Sequence, residues 1–273
     1  MNYLIACDLD GSLLNRQGEL TTKSISVLNR LTEMGHIIVI ATGRPYEGAI
    51  PKYLQIGLNT PMITDNGGSI ENPSDFSFAK QKTYLPLNLV HRLFENTKEY
   101  IVSAFFSDNK VVYAYKYDKK LEEYFSGMSS AHVIECDFSK LTIEPTGLVY
   151  LIHQRYMNDL ESYIANSSDQ TLSIRLWGID NGYALYEIYL KHISKSSALT
   201  YLLNHYGMQK EQLIAFGDGI NDIEMIRDAH LGVAMKNALD EVKTVCKDTT
   251  KNNHDQDGIA EYLINYFHLD DLR

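Results

Sequence analysis

The sequence predicts an α/β protein in which a parallel-sheet core domain is interrupted by an inserted α+β domain. Three observations predict this class. Short apolar runs alternate with helical patterns between residues 3 and 68, and again after residue 190. Between these parts, strand-like runs dominate and tyrosines concentrate. The apolar runs of the flanking parts end in polar residues, as in parallel sheets that bind ligands beyond the carboxyl ends of their strands.

The first part has the strand–helix–strand–helix–strand order of a parallel sheet. Thr21 suits the N-cap of the first helix and Gly35 its C-terminal stop, and Pro45 suits the first turn of the second helix. Continuous apolar runs predict strands that are buried on both faces. The predicted elements are a strand at 3–7, a helix between Thr21 and Gly35, strands at 37–40 and 62–64, and a helix after Pro45.

The insert and the last part are predicted from the same kinds of pattern. Two strand-like runs separated by Asp108-Asn109 indicate a hairpin. After the insert, the helix that starts near Lys195 presents apolar residues on one side, and buried strands follow it. The predicted elements are strands at 101–107, 110–115, 148–153, 172–177, 183–189, 213–216 and 231–234, and helices at 118–125, 156–165, from 195 and at 258–267.

Composition excludes several classes of function. The chain of 273 residues carries a net charge of −10, which argues against a nucleic-acid partner or an anionic membrane surface. Its three cysteines are far apart and odd in number, which favours reduced thiols over a disulfide framework. We find no leader pattern and no apolar stretch of membrane-spanning length, so we expect a soluble cytoplasmic protein.

The segment Asp8-Leu9-Asp10-Gly11-Ser12 follows the first strand and places two carboxylates close together. On its own, such a segment is more often a solvated turn, since Asp and Gly are common turn residues. It lacks the Gly and Glu spacing of a calcium-binding EF-hand loop. Two acids held this close persist at neutral pH only if a cation neutralises them or one keeps its proton, so the segment needs partners elsewhere in the chain.

Two further strands end in loops that supply such partners. Thr42-Gly43 follows the second strand and Asp218, Asn221 and Asp222 follow the strand at 213–216. Each loop alone could be a helix-entry turn with a cap, but all three would lie at one edge of one sheet. Asp8 and Asp218 are then natural ligands for Mg²⁺, and Thr42 with the amides around Gly43 would hold a phosphate. Lys195 would add the positive charge that the acids lack.

The chain resembles the haloacid-dehalogenase superfamily of hydrolases, in the Cof-type subgroup with a large α/β cap, type IIB. Four segments carry the resemblance in the family's order: Asp8-Leu-Asp-Gly-Ser, Ala41-Thr-Gly-Arg, Lys195, and Gly217-Asp-Gly-Ile-Asn-Asp. Asn66-Gly67, Gly232-Val-Ala-Met and the segment 253–258 are also similar to the subgroup. The resemblance implies a Rossmann-like core at 1–83 and 191–273 and a cap, the substrate-specificity domain, at 84–190.

The resemblance also implies a role for each matching residue. Asp8 would be the nucleophile that becomes an aspartyl-phosphate, and Asp10 would protonate the leaving oxygen and then activate water. The expected Mg²⁺ site comprises Asp8, Asp218 and the backbone carbonyl of Asp10, with Asp222 in support. The residues expected to contact phosphate or substrate are Leu9, Thr42, Gly43, Arg44, Asn66, Lys195 and Asn221. Lys236 departs from the family pattern, so a typical subgroup substrate is not assumed.

We therefore expect a Mg²⁺-dependent phosphatase of small phosphorylated metabolites, sugar phosphates among them, that is a monomer or weak homo-oligomer. Two alternatives stay open. One is a phosphosugar mutase or phosphotransferase of the same superfamily, which would move the phosphate instead of releasing it. The other is a non-catalytic receiver-like module, since receivers also combine an acidic cluster, Mg²⁺, a hydroxyl and a Lys. The large insert disfavours the receiver, which has no need of a lid.

Overall fold

A computed structural model describes residues 1–108, 111–118, 132–166 and 171–272. The chain forms two compact units, one of residues 1–81 with 194–273 and one of residues 82–193. The first contains a parallel sheet covered by helices, and the second an antiparallel-rich sheet with helices. We call them the core unit and the cap unit. The predicted α/β class with a separate α+β insert is confirmed.

The core unit alternates strands and helices along most of its length. Its strands are β1 (Leu4–Cys7), β2 (Ile37–Ile40), β3 (Met62–Thr64), β4 (Ser69–Glu71), β12 (Leu213–Gly217), β13 (Leu231–Ala234) and β14 (Asp248–Thr249). Its helices are α1 (Thr22–Glu33), α2 (Tyr46–Ile56), α5 (Lys195–His205), α6 (Ile223–Asp228), α7 (Asp240–Val245) and α8 (Gly258–Phe267). A short strand β5 (Gln81–Lys82) lies where the units meet in sequence.

The main sheet of the core unit has the strand order β14-β13-β12-β1-β2, and all of its pairings are parallel. Strand β1 pairs with β12 on one side and with β2 on the other, with Cys7 opposite both Phe216 and Ile40. The chain thus continues from β1 to β2 on one side, and only after the cap unit does it return to form β12 on the other side of β1. This reversal brings the ends of β1, β2 and β12 together at the edge where parallel sheets bind ligands.

Helix and strand formation in the core unit follows from its sequence pattern. The side chains of β1 and β12 are buried throughout, as their continuous apolar runs predict for a sheet covered on both faces. The Thr21 side chain accepts a hydrogen bond from the Ser24 amide and caps α1, and Gly35 ends this region in a left-handed conformation. The Ser194 side chain caps α5 by accepting from the Ser197 amide.

One strand of the core unit is not placed as predicted. The segment 62–64 was expected as a third strand of the parallel sheet, but β3 pairs antiparallel with β4 in a small sheet of order β3-β4-β5. A single parallel bridge, Ala41 to Ile63, links it to the main sheet. The pairing with β4 has a local cause, since Asp65 and Asn66 adopt positive φ angles of 50° and 54° where the chain reverses directly after β3.

The cap unit is built on a sheet of order β10-β11-β9-β6-β7-β8. Its pairings are antiparallel except for the parallel pair of β7 and β8. Among the described residues, apolar side chains of two helices pack with residues of the sheet in one hydrophobic cluster. The elements are α3 (Leu87–Thr97), β6 (Ile101–Asp108), β7 (Val111–Tyr115), β8 (His132–Glu135), β9 (Leu148–His153), α4 (Met157–Ala165), β10 (Leu172–Asp180) and β11 (Tyr183–Leu190).

Most predicted elements of the cap unit are present. The hairpin prediction is confirmed by the antiparallel pairing of β6 with β7, although residues 109–110 at its turn lie outside the described residues. The helix predicted at 118–125 falls, beyond Asp118, outside them as well. Strand β8 was not predicted. Among the described residues, none of the helices is both long enough and apolar enough to cross a membrane.

Candidate active site

The candidate site forms where β1, β2 and β12 end side by side in the core unit. The Asp8 amide donates to the Phe216 carbonyl at 3.0 Å, and the Ala41 amide donates to the Cys7 carbonyl at 2.9 Å. These backbone bonds carry the parallel pairing just beyond the strand ends. The residues that follow, Asp8, Thr42 and Asp218, therefore leave the sheet next to one another. The strand order thus explains how segments some two hundred residues apart form one site.

Three carboxylates meet at the centre of the site. One ligand atom from each of Asp8, Asp218 and Asp222 lies within 4.8 Å of the others. Asp8 and Asp222 are buried, with 4% and 0% of their surface exposed, and Asp218 is partly buried. Oxygen atoms grouped this closely are the donor set that a hard divalent cation such as Mg²⁺ prefers. Asp10 was predicted to contribute its backbone carbonyl to the metal site, and its carboxylate accepts hydrogen bonds from Arg44.

Lys195 lies between two of these acids. Its Nζ donates to Asp8 Oδ1 and to Asp222 Oδ1, each at 2.6 Å, and its side chain is fully buried. Burial alone would lower the pKa of Lys195, but the Asp222 and Asp8 carboxylates outweigh burial and raise that pKa. Its place at the start of α5 brings this ammonium to the sheet edge. Lys195 therefore stays charged and compensates part of the acidic cluster.

Burial, together with the charge of neighbouring carboxylates, raises the pKa of two of the acids. Burial raises the pKa of Asp8 well above its usual value; Lys195 opposes this, and Asp222 and Asp218 add to it. Burial, with the Asp222 charge, raises the pKa of Asp218 to about 6. Three carboxylates against one ammonium leave two excess negative charges, the amount that one divalent cation neutralises. The charge and the donor atoms both fit Mg²⁺.

The loop that follows β12 is held by Asp222. Its Oδ2 accepts hydrogen bonds from the amides of Asp218 and Gly219, at 2.9 and 3.0 Å, while its Oδ1 accepts from Lys195. Both oxygens of Asp222 are thus engaged by donors of this chain. Asp222 therefore holds the Asp218 backbone and the Lys195 ammonium, and Asp8 and Asp218 retain more lone pairs for a cation.

A glycine allows the acidic loop to approach Asp218. Gly11 has a φ of +74°, and a Cβ atom there would lie 2.2 Å from Asp218 Oδ2. The Ser12 hydroxyl donates to Asp218 Oδ1 at 3.3 Å from the same loop. A larger residue at position 11 would displace the carboxylate, so this close approach requires glycine.

Asp10 is held by Arg44. The guanidinium donates through Nη2 to Oδ1 at 2.6 Å and through Nε to Oδ2 at 2.7 Å, a bidentate pair, and Arg44 Nη1 also donates to the Gly48 carbonyl at 3.2 Å. The hydrogen bond from Arg44 to Asp10 raises the pKa of the guanidinium. The Asp10 side chain is 57% exposed. Sequence reasoning assigned Arg44 to substrate and did not foresee this pair.

Three of the residues predicted to contact the phosphate, Gly43, Asn66 and Asn221, lie close to one another. The Asn221 amide donates to Asn66 Oδ1 at 2.9 Å, and the same Asn66 side chain approaches Gly43, where a Cβ would lie 3.0 Å from it. Thr42 is buried, and its hydroxyl accepts from the Arg44 amide at 3.1 Å. Leu9 is fully buried, so its side chain is not accessible to a ligand.

One residue with a direct contact to this site was not singled out by the sequence. Asn237 donates through Nδ2 to the Gly11 carbonyl at 2.8 Å and to Asp218 Oδ2 at 3.4 Å. Its signal was present, because it lies in the run after Gly232-Val-Ala-Met that resembles the subgroup. The sequence of this run does not show which residues the Asn237 side chain contacts.

Comparison with known proteins identifies the family. A family model described as haloacid dehalogenase-like hydrolase matches residues 5–263. The 5-amino-6-(5-phospho-D-ribitylamino)uracil phosphatase YitU of Bacillus subtilis is 32% identical over 269 residues, which cover 98% of each chain. This relative is named a phosphatase, in agreement with the prediction of a phosphoric monoester hydrolase.

Solved structures agree with the family in fold. A haloacid dehalogenase-like hydrolase from Bacteroides thetaiotaomicron has a TM-score of 0.82 at 27% identity, covering 98% of this chain and 100% of that one. A sugar phosphatase of HAD subclass IIB has the same fold, with a TM-score of 0.82 at 22% identity over 98% of this chain and 100% of that one. The chain therefore belongs to the haloacid dehalogenase-like hydrolase family, as its four sequence segments predicted.

Proposed function

We propose that the protein is a Mg²⁺-dependent phosphatase that hydrolyses small phosphorylated metabolites through a phosphoryl group on Asp8. The observation that carries this proposal is the buried cluster of Asp8, Asp218 and Asp222 around Lys195. Such a cluster combines a nucleophile, oxygen ligands for a cation and a fixed positive charge. Membership of a hydrolase family and the phosphatase name of a relative support the same activity.

Asp8, Asp218 and the backbone carbonyl of Asp10 would hold the cation, with Asp222 orienting Asp218. When bound, Mg²⁺ would supply positive charge to the oxygens of the phosphoryl group as it is transferred. Thr42, the Gly43 amide, the Leu9 backbone, Lys195 and Asn221 would hold those oxygens, and Asn66 would orient Asn221 through their hydrogen bond. The contacts of Asn66 with Asn221 and with Gly43 support this grouping.

The reaction balances with the groups present. A carboxylate oxygen of Asp8 attacks phosphorus, the bond from phosphorus to the leaving oxygen breaks, and Asp10 gives that oxygen its proton. A water molecule then attacks the phosphorus, Asp10 takes the proton from the water, and inorganic phosphate leaves Asp8. Because Arg44 pairs with Asp10 in this structure, the Asp10 carboxyl must leave that pair before it transfers a proton.

The substrate proposed first is the one in the name of the relative that is 32% identical, 5-amino-6-(5-phospho-D-ribitylamino)uracil. It is a small phosphate monoester, as the site requires. The cap unit, proposed as the substrate-specificity domain, would then recognise its uncharged portion. Sugar phosphates are the second class to test. A cytoplasmic location and a monomeric or weakly homo-oligomeric state remain predictions from the sequence.

The test is phosphate release from these substrates and from p-nitrophenyl phosphate, by the wild type, Asp8→Asn and Asp271→Asn, with Mg²⁺ or with EDTA. Asp271 is exposed, and its variant controls for the loss of one carboxylate. We expect Asp8→Asn to fold and lose turnover, EDTA to abolish the activity of the wild type, and Asp271→Asn to match the wild type. Turnover by Asp8→Asn at the wild-type rate would overturn the proposal.

The same assay separates the alternatives. A mutase would return the phosphate on another position of the sugar, which product analysis detects as an isomer without free phosphate. A receiver-like module would retain the phosphoryl group and show no repeated turnover. Repeated release of inorganic phosphate supports hydrolysis over both.

A further inference from the structure

The Asn237 side chain joins three segments of the core unit that are far apart in sequence. Its Nδ2 donates to the Gly11 carbonyl at 2.8 Å and to Asp218 Oδ2 at 3.4 Å. Its Oδ1 accepts from the His254 amide at 3.1 Å. The reverse orientation of the amide would set its oxygen against a carbonyl and a carboxylate, and its NH₂ against an N–H, so the three partners allow one orientation.

The His254 amide is itself held in place by a network around the segment 250–258. The Thr250 amide donates to the Ala234 carbonyl at 2.9 Å, and the Thr250 hydroxyl accepts from the Lys236 amide at 2.9 Å. At the other end, the Gly258 amide donates to the Asn253 carbonyl at 3.0 Å. The segment is thus bound both to the residues before Asn237 and within itself, and it presents a fixed donor to Asn237.

The far end of the same segment is anchored to α1. Asp257 has a positive φ of 53°, and its Oδ1 accepts from the hydroxyls of Thr21 and Ser24. These bonds connect the segment to the helix that follows the acidic loop. Nearer to the loop containing Gly11, the Arg16 amide donates to Asp255 Oδ1 at 2.6 Å, so the segment is bound at two places to the chain that follows this loop.

We propose that Asn237 is a positioning residue for the cation site, and that the His254 backbone N–H is what orients it. Asn237 sets the Asp218 carboxylate and the Gly11 carbonyl relative to one another, and Gly11 directly follows Asp10, whose carbonyl is a proposed ligand. The segment 250–258, which the proposed chemistry does not otherwise use, thereby becomes part of the metal site. This inference rests on the proposed function, because it requires that the site binds Mg²⁺.

The expected size of the effect follows from what remains when Asn237 is truncated. Asp218 would keep the Ser12 hydroxyl at 3.3 Å as its side-chain donor, and the Gly11 carbonyl would lose its hydrogen bond from Nδ2. Partners that orient metal ligands typically change metal affinity by about 10–100-fold when they are removed. We therefore expect Mg²⁺ to bind about 10-fold or more weakly to Asn237→Ala.

The first experiment measures the dissociation constant of Mg²⁺ by calorimetry on the full chain, with thermal unfolding in EDTA as a check on folding. Asn265→Ala is the matched control, because the Asn265 Nδ2 donates to the Glu261 carbonyl at 2.8 Å on the exposed side of α8. Weaker binding by Asn237→Ala, with the control at the wild-type value, supports the proposal. Equal dissociation constants for Asn237→Ala and the wild type overturn it.

The second experiment tests the backbone N–H with His254→Pro and His254→Ala. Both variants lose the imidazole, but only proline loses the N–H that Asn237 accepts. Proline suits this position because His254 begins a 3-10 turn and Asn253 before it is extended, with φ −81° and ψ −179°. The comparison therefore isolates one hydrogen bond.

We expect the dissociation constant of Mg²⁺ to be about 10-fold higher for His254→Pro than for His254→Ala. Equal values in two folded variants overturn the role given to the segment 250–258. If His254→Pro does not fold, Asn237→Ala alone decides the inference. If the wild type binds no Mg²⁺, the proposed function is overturned as well. If the wild type binds Mg²⁺ and the variants bind it equally well, only this inference is overturned.

Discussion

Lys195→Met provides the sharpest test of the buried charge balance. The substitution removes an ammonium that is fully buried and bound to Asp8 and Asp222 at 2.6 Å each, and methionine occupies a similar volume. Two buried carboxylates then lack their partner. Breaking a buried ion pair on one side costs about 3–5 kcal/mol, because the remaining charge stays desolvated. We expect the free energy of unfolding of the metal-free protein to fall by about that amount.

The loss should depend on pH with a defined sign. The pKa of Asp8 is raised by folding, so its contribution to stability is present at low pH and is lost as the pH rises through its folded pKa. Lys195 lowers the pKa of Asp8, so removing Lys195 raises that pKa further. The deficit of Lys195→Met relative to the wild type should therefore be larger at about pH 8 than at about pH 5, where the carboxyl can take a proton.

The assay is urea unfolding in EDTA, followed by circular dichroism, with Lys23→Met as the control. Lys23 pairs with Glu261 in the core unit, but the two side chains are 32% and 34% exposed. Pairs at such sites contribute about 0–1 kcal/mol. A loss for Lys195→Met no larger than that for Lys23→Met would refute the reasoning that the cluster depends on this buried charge.

Three further predictions concern the proton, the pH and the backbone. Asp10→Asn should fold like the wild type and slow phosphate release from alkyl phosphates more than from p-nitrophenyl phosphate, whose leaving group needs little protonation. Equal losses of rate for both substrates would contradict the role of Asp10 as a general acid. Because the pKa of Asp218 is raised to about 6, its contribution to the stability of the metal-free protein is present below about pH 4 and lost as the pH rises through about 6. For the same reason, Mg²⁺ affinity measured by calorimetry should fall as the pH drops below about 6, where Asp218 takes up a proton. Gly67→Ala should lower the free energy of unfolding by ~2 kcal/mol or more and reduce activity. The φ angle of Gly67 is +105°, and an added Cβ would lie 2.2 Å from the Ser194 carbonyl, next to Lys195 in the chain. Unfolding and turnover at wild-type values would contradict this placement.

Much of the fold followed from local pattern. Continuous apolar runs and capping residues gave β1, β2 and β12, and the helix that begins at Lys195. Strand β3 adjoins the parallel sheet through one bridge, as predicted, but its antiparallel pairing with β4 was missed, because the positive φ angles at Asp65 and Asn66 are not visible in an apolar pattern. Strand β8 is short and mostly exposed, so its sequence lacks the apolar alternation of a half-buried strand.

Part of the candidate site could also be predicted from the sequence, because of the topology of parallel sheets. Parallel strands bring their carboxyl ends to one edge, so Asp8, Thr42 and Asp218 could be grouped once the strands were recognised. Side-chain partners across that edge could not be predicted in this way. The bidentate bond from Arg44 to Asp10 and the contacts of Asn237 depend on side-chain directions that only the folded chain defines.

The most direct test of the account is whether the phosphoryl group is carried by Asp8. The wild type and Asp8→Asn would be mixed with a substrate labelled in its phosphate, quenched in acid during turnover, digested and analysed by mass spectrometry. We predict a phosphoryl group on Asp8 of the wild type and no labelled peptide in Asp8→Asn. Turnover of the wild type without label on Asp8, or label retained in the variant, would contradict the central claim.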